Sequence, residues 1–272
     1  ATDPDADRVG VEVLQKDGSY LNLSGNQIGA IMAKYILEAH KNAGTLPENA
    51  ALCKSIVSTD LVTKIAESYG ATMFNVLTGF KFIAEKIQEF EEKHNHTYMM
   101  GFEESFGYLI KPFVRDKDAI QAVLVVAELA AYYRSRGLTL ADGIEEIYKE
   151  YGYYAEKTIS VTLSGVDGAE QIKAIMAKFR NNAPKEWNTT AITVVEDFKA
   201  QTATAADGTV TNLTTPPSDV LKYTLADGSW IAVRPSGTEP KIKFYIAVVG
   251  ESNEDSQAKI ANIEAEINAF VK

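Results

Sequence analysis

The 272-residue sequence has a single cysteine, no excess of positive charge and no long apolar run. Cys53 alone cannot close an internal disulfide. Within Ala-Leu-Cys-Lys-Ser-Ile-Val it reads as a small buried side chain in a reducing, cytoplasmic setting. The formal charge of −10 excludes a general nucleic-acid surface, which would be basic. A membrane-spanning helix needs about 18 or more apolar residues in succession. The longest candidate, Ala119–Tyr133, is broken by Gln121 and Glu128, so no membrane partner is expected. The opening Ala-Thr-Asp-Pro-Asp is unlike the basic and then apolar start of a secretory signal. Internal repeats and long low-complexity segments are also missing. What remains is the texture of a globular protein, 46% apolar and 24% charged, long enough for one large domain or two of ordinary size.

Local pattern divides the chain into three parts. Val9–Leu14 alternates as a strand, and Lys16-Asp-Gly-Ser19 is a hairpin signal, so the opening residues read as the final hairpin of a preceding domain. From Leu23 to Tyr154 helices and strands alternate. Asn26–Lys41 has helical periodicity behind a Ser24 cap, Ser55–Ser58 reads as a short strand, and a helix from about Thr59 or Asp60 to Tyr69 stops at Gly70. Thr72–Leu77 and Tyr98–Phe102 are further strands. Helices are expected after Lys81, from Asp116 or Asp118 to about Arg136, and over Leu140–Tyr151. This is an α/β domain with a mixed, mainly parallel sheet, in which ligands bind beyond the carboxyl ends of the strands. Residues 155–272 change texture again. Strands at Lys157–Leu163, Thr193–Phe198, Leu221–Leu225, Trp230–Val233 and Phe244–Val249 accompany helices at Gly168–Arg180 and Asp255–Phe270. Ala200–Pro217 is a flexible or hairpin excursion. Two helices and about five strands predict a smaller α+β domain with an antiparallel sheet.

Because the whole chain is acidic, an anionic ligand must be met by local positive charge. Arg234-Pro-Ser-Gly-Thr-Glu-Pro-Lys-Ile-Lys-Phe-Tyr245 supplies it between two apolar runs. Ser236, Gly237 and Thr238 can turn N–H groups and hydroxyls toward one point, and Arg234 adds a bidentate fork. This reads as a phosphate clamp, with an ordinary charged hairpin turn as the alternative. Asp3, Asp5 and Asp7 repel one another unless a hard cation sits among them. An EF-hand is excluded, because Arg8 stands where its glycine belongs and Leu14 where its glutamate belongs. A magnesium or calcium site and a solvated acidic terminus both stay open on these residues alone. Thr78–Lys81, Glu103–Ser105 and Arg115–Asp118 lie at strand ends or helix starts, each with an ordinary turn, a solvated pair or a charged helix start as its alternative.

Taken in order, Asp-Pro-Asp-Ala-Asp-Arg, Thr-Gly-Phe-Lys, Gly-Phe-Glu-Glu-Ser-Phe-Gly-Tyr, Arg-Asp-Lys-Asp and Arg-Pro-Ser-Gly-Thr-Glu-Pro-Lys resemble the motifs of the α-D-phosphohexomutases, above all the bacterial α-phosphoglucomutase branch. The resemblance runs the length of the chain. It implies that residues 1–18 end domain 2, that 19–154 are the sugar-recognition domain 3, and that 155–272 are the phosphate-binding domain 4. It further implies Mg²⁺ on Asp3, Asp5 and Asp7, with Arg8 beside the reacting phosphate. Thr78, Gly79 and Lys81 would line the sugar-phosphate cleft, Glu103 and Ser105 would bind sugar hydroxyls, and Lys117 would handle a proton or neutralise charge. Arg234, Ser236, Gly237 and Thr238, with Lys243, would hold the phosphate that is not transferred. The implied reaction interconverts glucose 1-phosphate and glucose 6-phosphate through a phosphoserine and glucose 1,6-bisphosphate. The family's serine loop, of Thr-Ala-Ser-His-Asn-Pro type, has no counterpart here, and His40, His94 and His96 do not lie in one. The fragment is therefore expected to be inactive without an N-terminal half that carries the serine. A phosphopentomutase or phosphomannomutase half and a non-catalytic sugar-phosphate-binding module are the alternatives. Pro4 stands where many family members have glycine and stiffens the metal loop.

Overall fold

A short hairpin leads the fold: β1 (Val11–Leu14) pairs antiparallel with β2 (Tyr20–Leu23) across a turn in which Gly18 takes a positive φ of 86°. The computed structural model describes residues 1–163, 167–237 and 239–271. Their packing divides the chain into two units, Ala1–Tyr151 and Gly152–Lys272. Among the described residues no helix is long and apolar enough to cross a membrane.

In the first unit, helix α1 (Gly25–Asn42) starts at a reciprocal cap. The Ser24 hydroxyl accepts from the Gln27 N–H at 3.1 Å, and the Gln27 side chain accepts from the Ser24 N–H at 2.9 Å. Strand β3 (Ala50–Ser55) is buried along its whole length, and helix α2 (Leu61–Ser68), strand β4 (Thr72–Val76) and helix α3 (Phe80–Lys93) follow. Strand β5 (Thr97–Glu103) turns into β6 (Gly107–Leu109), and helices α4 (Ala119–Ser135) and α5 (Leu140–Tyr151) complete the unit. The sheet order is β4-β3-β5-β6; β3 is parallel to both neighbours and β6 is antiparallel to β5. Ala51 and Cys53 face Phe80, Ile83, Ile87 and Phe90 of α3 on one side. On the other, α1 presses so close that a Cβ on Gly29 would lie 2.6 Å from the Phe102 ring. The central strand ends at Ser55, and residues 56–58 form a turn, which corrects the expected strand at Ser55–Ser58. That reading followed the apolar Ile56-Val57 pair, whereas the strand itself is the preceding Ala-Ala-Leu-Cys run.

The second unit begins with β7 (Tyr153–Thr162), helix α6 (Gly168–Asn182), β8 (Glu186–Trp187) and β9 (Thr190–Asp197). Strands β10 (Thr202–Ala205), β11 (Val210–Asn212), β12 (Leu221–Leu225), β13 (Trp230–Pro235) and β14 (Lys241–Gly250) come next, then helix α7 (Asn253–Val271). The order is β11-β10-β9-β12-β13-β14-β7, with β8 on β9 and every pairing antiparallel. Strand periodicity sorts the faces. Ile231, Val233, Ile242, Phe244 and Ile246 turn toward Ile172, Met176 and Phe179 of α6 and Ile260, Ile263 and Ile267 of α7, all in one apolar core. Trp230, Ala232, Arg234, Lys243 and Tyr245 therefore belong to the opposite face. The sheet has eight described strands rather than about five, because Ala200–Pro217 holds the β10–β11 hairpin and Glu186–Trp187 adds a short edge.

Candidate functional site

Two clusters hold the expected site residues, one in each unit. In the first unit, the loop from Asp3 to Arg8 is folded on itself, with Ala6 N–H donating to Asp3 O at 3.1 Å and Asp3 N–H to Arg8 O at 3.3 Å. The Asp3 carboxylate accepts from the N–H groups of Asp7 and Arg8, both at 3.2 Å. Desolvation opposes ionisation of Asp3, but these two N–H groups, with the Asp7 side chain and the Arg8 charge, together outweigh it and hold the carboxyl below the usual range. The loop is stitched to the rest of the unit. Val9 N–H donates to Phe106 O and Ala119 N–H to Ala6 O, both at 3.2 Å, and Arg8 bridges to Gly107. The acidic loop thus sits against the β5–β6 turn and the start of α4.

Lys117 joins these pieces electrostatically. Its ammonium lies 3.2 Å from Asp7 Oδ2 and 2.9 Å from Asp116 Oδ1. Burial works against its charge, and the Asp116 and Asp7 carboxylates more than compensate, so its pKa is raised and it stays protonated. Its stem lies along Gly107, where a Cβ would come within 2.3 Å of Lys117 Cδ. Asp118 is the N-cap of α4, with its Oδ1 accepting from Ile120 N–H at 2.9 Å.

The carboxylates suit a hard divalent cation in donor type, and Asp7 Oδ1, 3.9 Å from Arg8 Nε, is buried with no hydrogen-bond partner among the described residues, an atom that a cation would satisfy. Convergence is not present. Among the described residues no group of three or more His, Cys, Asp or Glu side chains is placed to hold a metal ion. Asp3 is occupied by backbone N–H groups and Asp7 by Lys117, while Asp5 is exposed.

The second loop of this cluster runs from Thr78 to Lys81. Gly79 has φ 122°, a conformation that side chains rarely adopt, and its N–H donates to Glu103 Oε1 at 2.6 Å. Thr78 Oγ1 is buried without a hydrogen-bond partner among the described residues, and Lys81 is exposed, its ammonium 4.8 Å from the centre of the Phe82 ring. Glu103, only 6% exposed, ends β5. Its burial pushes the carboxyl pKa up; the Gly79 N–H pulls it back, neighbouring Glu104 raises it, and Lys117 and Arg8 lower it. Ser105 is half-buried, and its hydroxyl makes no hydrogen bond among the described residues. Thr78, Gly79, Glu103, Lys117 and the Asp3–Arg8 loop therefore form one neighbourhood at the carboxyl ends of β4 and β5. A role for Glu104, with Ser55 and Ser58 beneath it, was not apparent from sequence. The hint was Lys54 and Ser55 interrupting the apolar run at residues 50–57, with Ser58 directly after it.

In the second unit, the pairing of β13 with β14 sets Arg234 directly opposite Lys243. Side chains opposite each other in an antiparallel pair share a face and come within about 4.5–5.5 Å at Cβ, and like charges so placed are destabilising. Neither cation has an acidic partner among the described residues. Lys241, by contrast, is paired with Glu239 at 3.0 Å. Ser236 N–H donates to Lys241 O at 2.8 Å and closes the loop. Gly237 is exposed, avoids positive φ, and a Cβ there would meet nothing within 4 Å. Its own packing gives no reason for a glycine. Thr238 lies outside the described residues.

A profile described as "Phosphoglucomutase/phosphomannomutase, alpha/beta/alpha domain III" matches residues 24–151. Another, "Phosphoglucomutase/phosphomannomutase, C-terminal domain", matches residues 165–269. The chain is 38% identical over 261 residues to a phosphoglucomutase of Staphylococcus aureus (strain bovine RF122 / ET3-1), covering 96% of this chain and 46% of that protein. Among solved structures it is similar to the open form of the Paramecium phosphoglucomutase pp63/parafusin, at a TM-score of 0.66 and 20% identity over 100% of this chain and 44% of that one. It is also similar to the Aspergillus fumigatus N-acetylphosphoglucosamine mutase in complex with GlcNAc-6P and magnesium, at a TM-score of 0.54 and 13% identity over 100% of this chain and 48% of that one. Both structures speak for the fold alone. The chain spans about half the length of the curated relatives it matches.

Proposed function

We propose, for a chain that belongs to the phosphoglucomutase/phosphomannomutase family, that it supplies the sugar-reading and phosphate-holding parts of a cytoplasmic phosphoglucomutase. The observation that carries this reading is the Arg234–Lys243 pair. Two like charges face each other across a ladder, unpaired among the described residues, beside Ser236 and an otherwise unnecessary Gly237. A phosphate removes the repulsion and accepts from the guanidinium fork and the loop N–H groups together.

The chemistry divides between the two clusters. In the reading offered here, Arg234, Lys243, Ser236, Gly237 and Thr238 hold the phosphate that is not transferred. Glu103 and Ser105 read the sugar hydroxyls, with Thr78, Gly79 and Lys81 beside them, and Arg8 and Lys117 neutralise charge at the transferred group. A loose phosphoryl-transfer transition state needs positioning and charge stabilisation more than covalent chemistry from the protein, and these residue types supply both. Asp3, Asp5 and Asp7 would hold Mg²⁺, which when bound stabilises charge on the transferred group. The Lys117 ammonium balances Asp7 meanwhile. Residues 1–18 are read as the end of a preceding domain. The phosphoryl donor, a serine in an N-terminal half, is read as a partner to this chain, and glucose 1,6-bisphosphate as the intermediate.

Titration calorimetry of the 272-residue chain with glucose 6-phosphate tests the reading. Binding that Arg234→Ala weakens by about tenfold or more, the loss of one charge-assisted hydrogen-bond pair, is expected. Binding that is indifferent to Arg234 counts against it. A clear preference for mannose 6-phosphate would move the assignment to a phosphomannomutase.

A further inference from the structure

Beneath the β5–β6 turn lies a buried polar cluster that no role above uses. Glu104 Oε2 accepts from the hydroxyls of Ser55 at 3.0 Å and Ser58 at 3.3 Å, and Glu104 N–H donates to Ser58 Oγ at 3.0 Å. The two hydroxyl oxygens are 2.8 Å apart, so two protons serve three contacts. Ser55 and Ser58 are themselves fixed. Ser58 N–H donates to Ser55 O at 3.0 Å, and the Lys54 ammonium donates to Ser58 O at 3.1 Å while pairing with Asp60 Oδ1 at 2.8 Å. The Lys54 side chain is 0% exposed, so its charge is spent inside the fold. Thr59 N–H donates to Asn26 Oδ1 at 3.0 Å, which ties the turn to α1. From the other side, α1 presses on the Glu104 backbone, where a Cβ on Gly25 would lie 2.0 Å from Glu104 O. Ser55 and Ser58 are buried and Glu104 half-buried, and a hydrogen-bonded set so placed is stiff, since each member loses a partner if any one moves.

We propose that Glu104 is a positioning residue, locked from beneath by Ser55 and Ser58 so that Glu103 and Ser105 are held in register to read the sugar. This rests on the sugar-reading role of those two residues. Glu104 opens the β5–β6 turn directly after Glu103 ends β5, so anchoring its carboxylate and its N–H fixes the backbone that carries Glu103, with its bond to Gly79 N–H, and Ser105. A carboxylate is used because it can accept from both hydroxyls at once.

The test uses the 272-residue chain with Glu104→Ala, Glu104→Gln, Ser58→Ala and the Glu104→Ala/Ser58→Ala double variant. Glutamine keeps a carbonyl oxygen that both hydroxyls can reach. Without any ligand, hydrogen-exchange protection of the amides of Gly79 and residues 103–107 should fall about tenfold in either alanine variant. The double variant should fall no further, and glutamine should stay within about twofold of the parent. Glucose 6-phosphate affinity should follow the same ranking. Unchanged protection at these amides in Glu104→Ala overturns the proposal, as does an additive double variant. An equal loss at the Ile31 amide in α1 also overturns it, because that marks general destabilisation. A parent chain that binds no glucose 6-phosphate refutes the sugar-reading role alone, and the exchange data still decide whether Glu104 positions the turn.

Discussion

Glu103 shows how a single residue carries two conflicting demands. Its folded-state pKa is raised, chiefly by burial, so the ionised form is disfavoured in the folded protein relative to the unfolded chain. The stability it contributes is therefore greatest below the ordinary glutamate value of 4.5 and is lost as pH rises through its folded pKa. Glu103→Gln keeps an acceptor for Gly79 N–H and removes the charge. It should raise the thermal midpoint at pH 7, with the gain vanishing at pH values below that ordinary value, while weakening sugar-phosphate binding. A midpoint difference independent of pH would contradict the assignment of cause. Lys243 is predicted to split the same two properties. Lys243→Thr relieves the like-charge pair with Arg234 and should stabilise the chain by about 0.5 kcal/mol in phosphate-free buffer. Its affinity for glucose 6-phosphate should nevertheless fall. Chemical denaturation and calorimetry on one preparation measure both signs.

At the scale of elements, glycines mark where strands and helices approach each other. Gly25→Ala puts a Cβ onto the Glu104 carbonyl and should cost about 1–3 kcal/mol, read by urea denaturation. Gly79→Ala forces a side chain to φ 122° and should cost a similar ~1–3 kcal/mol, and it should also disturb the amide that Glu103 accepts from. Much of this architecture is legible in the sequence, because periodicity is local. The Ser24–Gln27 cap, the apolar stripe of α1, the Asp118 cap of α4 and the β12–β13 hairpin are all written within a few residues. The Ser55–Ser58 misreading has a local cause too, since Ile56-Val57 looks like a strand and serves instead as the turn that delivers Ser58. What stayed hidden depends on distance along the chain. Glu104 meets Ser55 and Ser58 across separations of 49 and 46 residues, and nothing in Glu-Glu-Ser says which glutamate faces inward. The β10–β11 hairpin is the hairpin reading of Ala200–Pro217, and its strands were not counted because Thr202–Ala205 and Val210–Asn212 are short and neither contributes to the apolar core that makes a strand visible as a pattern.

For the whole molecule, the division into Ala1–Tyr151 and Gly152–Lys272 puts the residues proposed to read the sugar and those proposed to hold the phosphate on separately packed units. The chain covers 46% of the staphylococcal phosphoglucomutase it resembles, and the serine that would donate a phosphoryl group has no counterpart among its motifs. In a coupled assay with glucose 1-phosphate and glucose 1,6-bisphosphate, the 272-residue chain should show no mutase turnover; measurable turnover would mean that it carries its own phosphoryl acceptor. The charge pattern explains how an acidic protein, at −10, is read as accepting an acidic ligand, since Arg234 and Lys243 face each other free of carboxylates among the described residues. The most direct measurement is calorimetric titration of glucose 1,6-bisphosphate into the parent chain and into Arg234→Ala. The account predicts saturable binding by the parent and about tenfold or greater weakening in the variant. Equal affinity in both chains, or no binding by the parent, would contradict it.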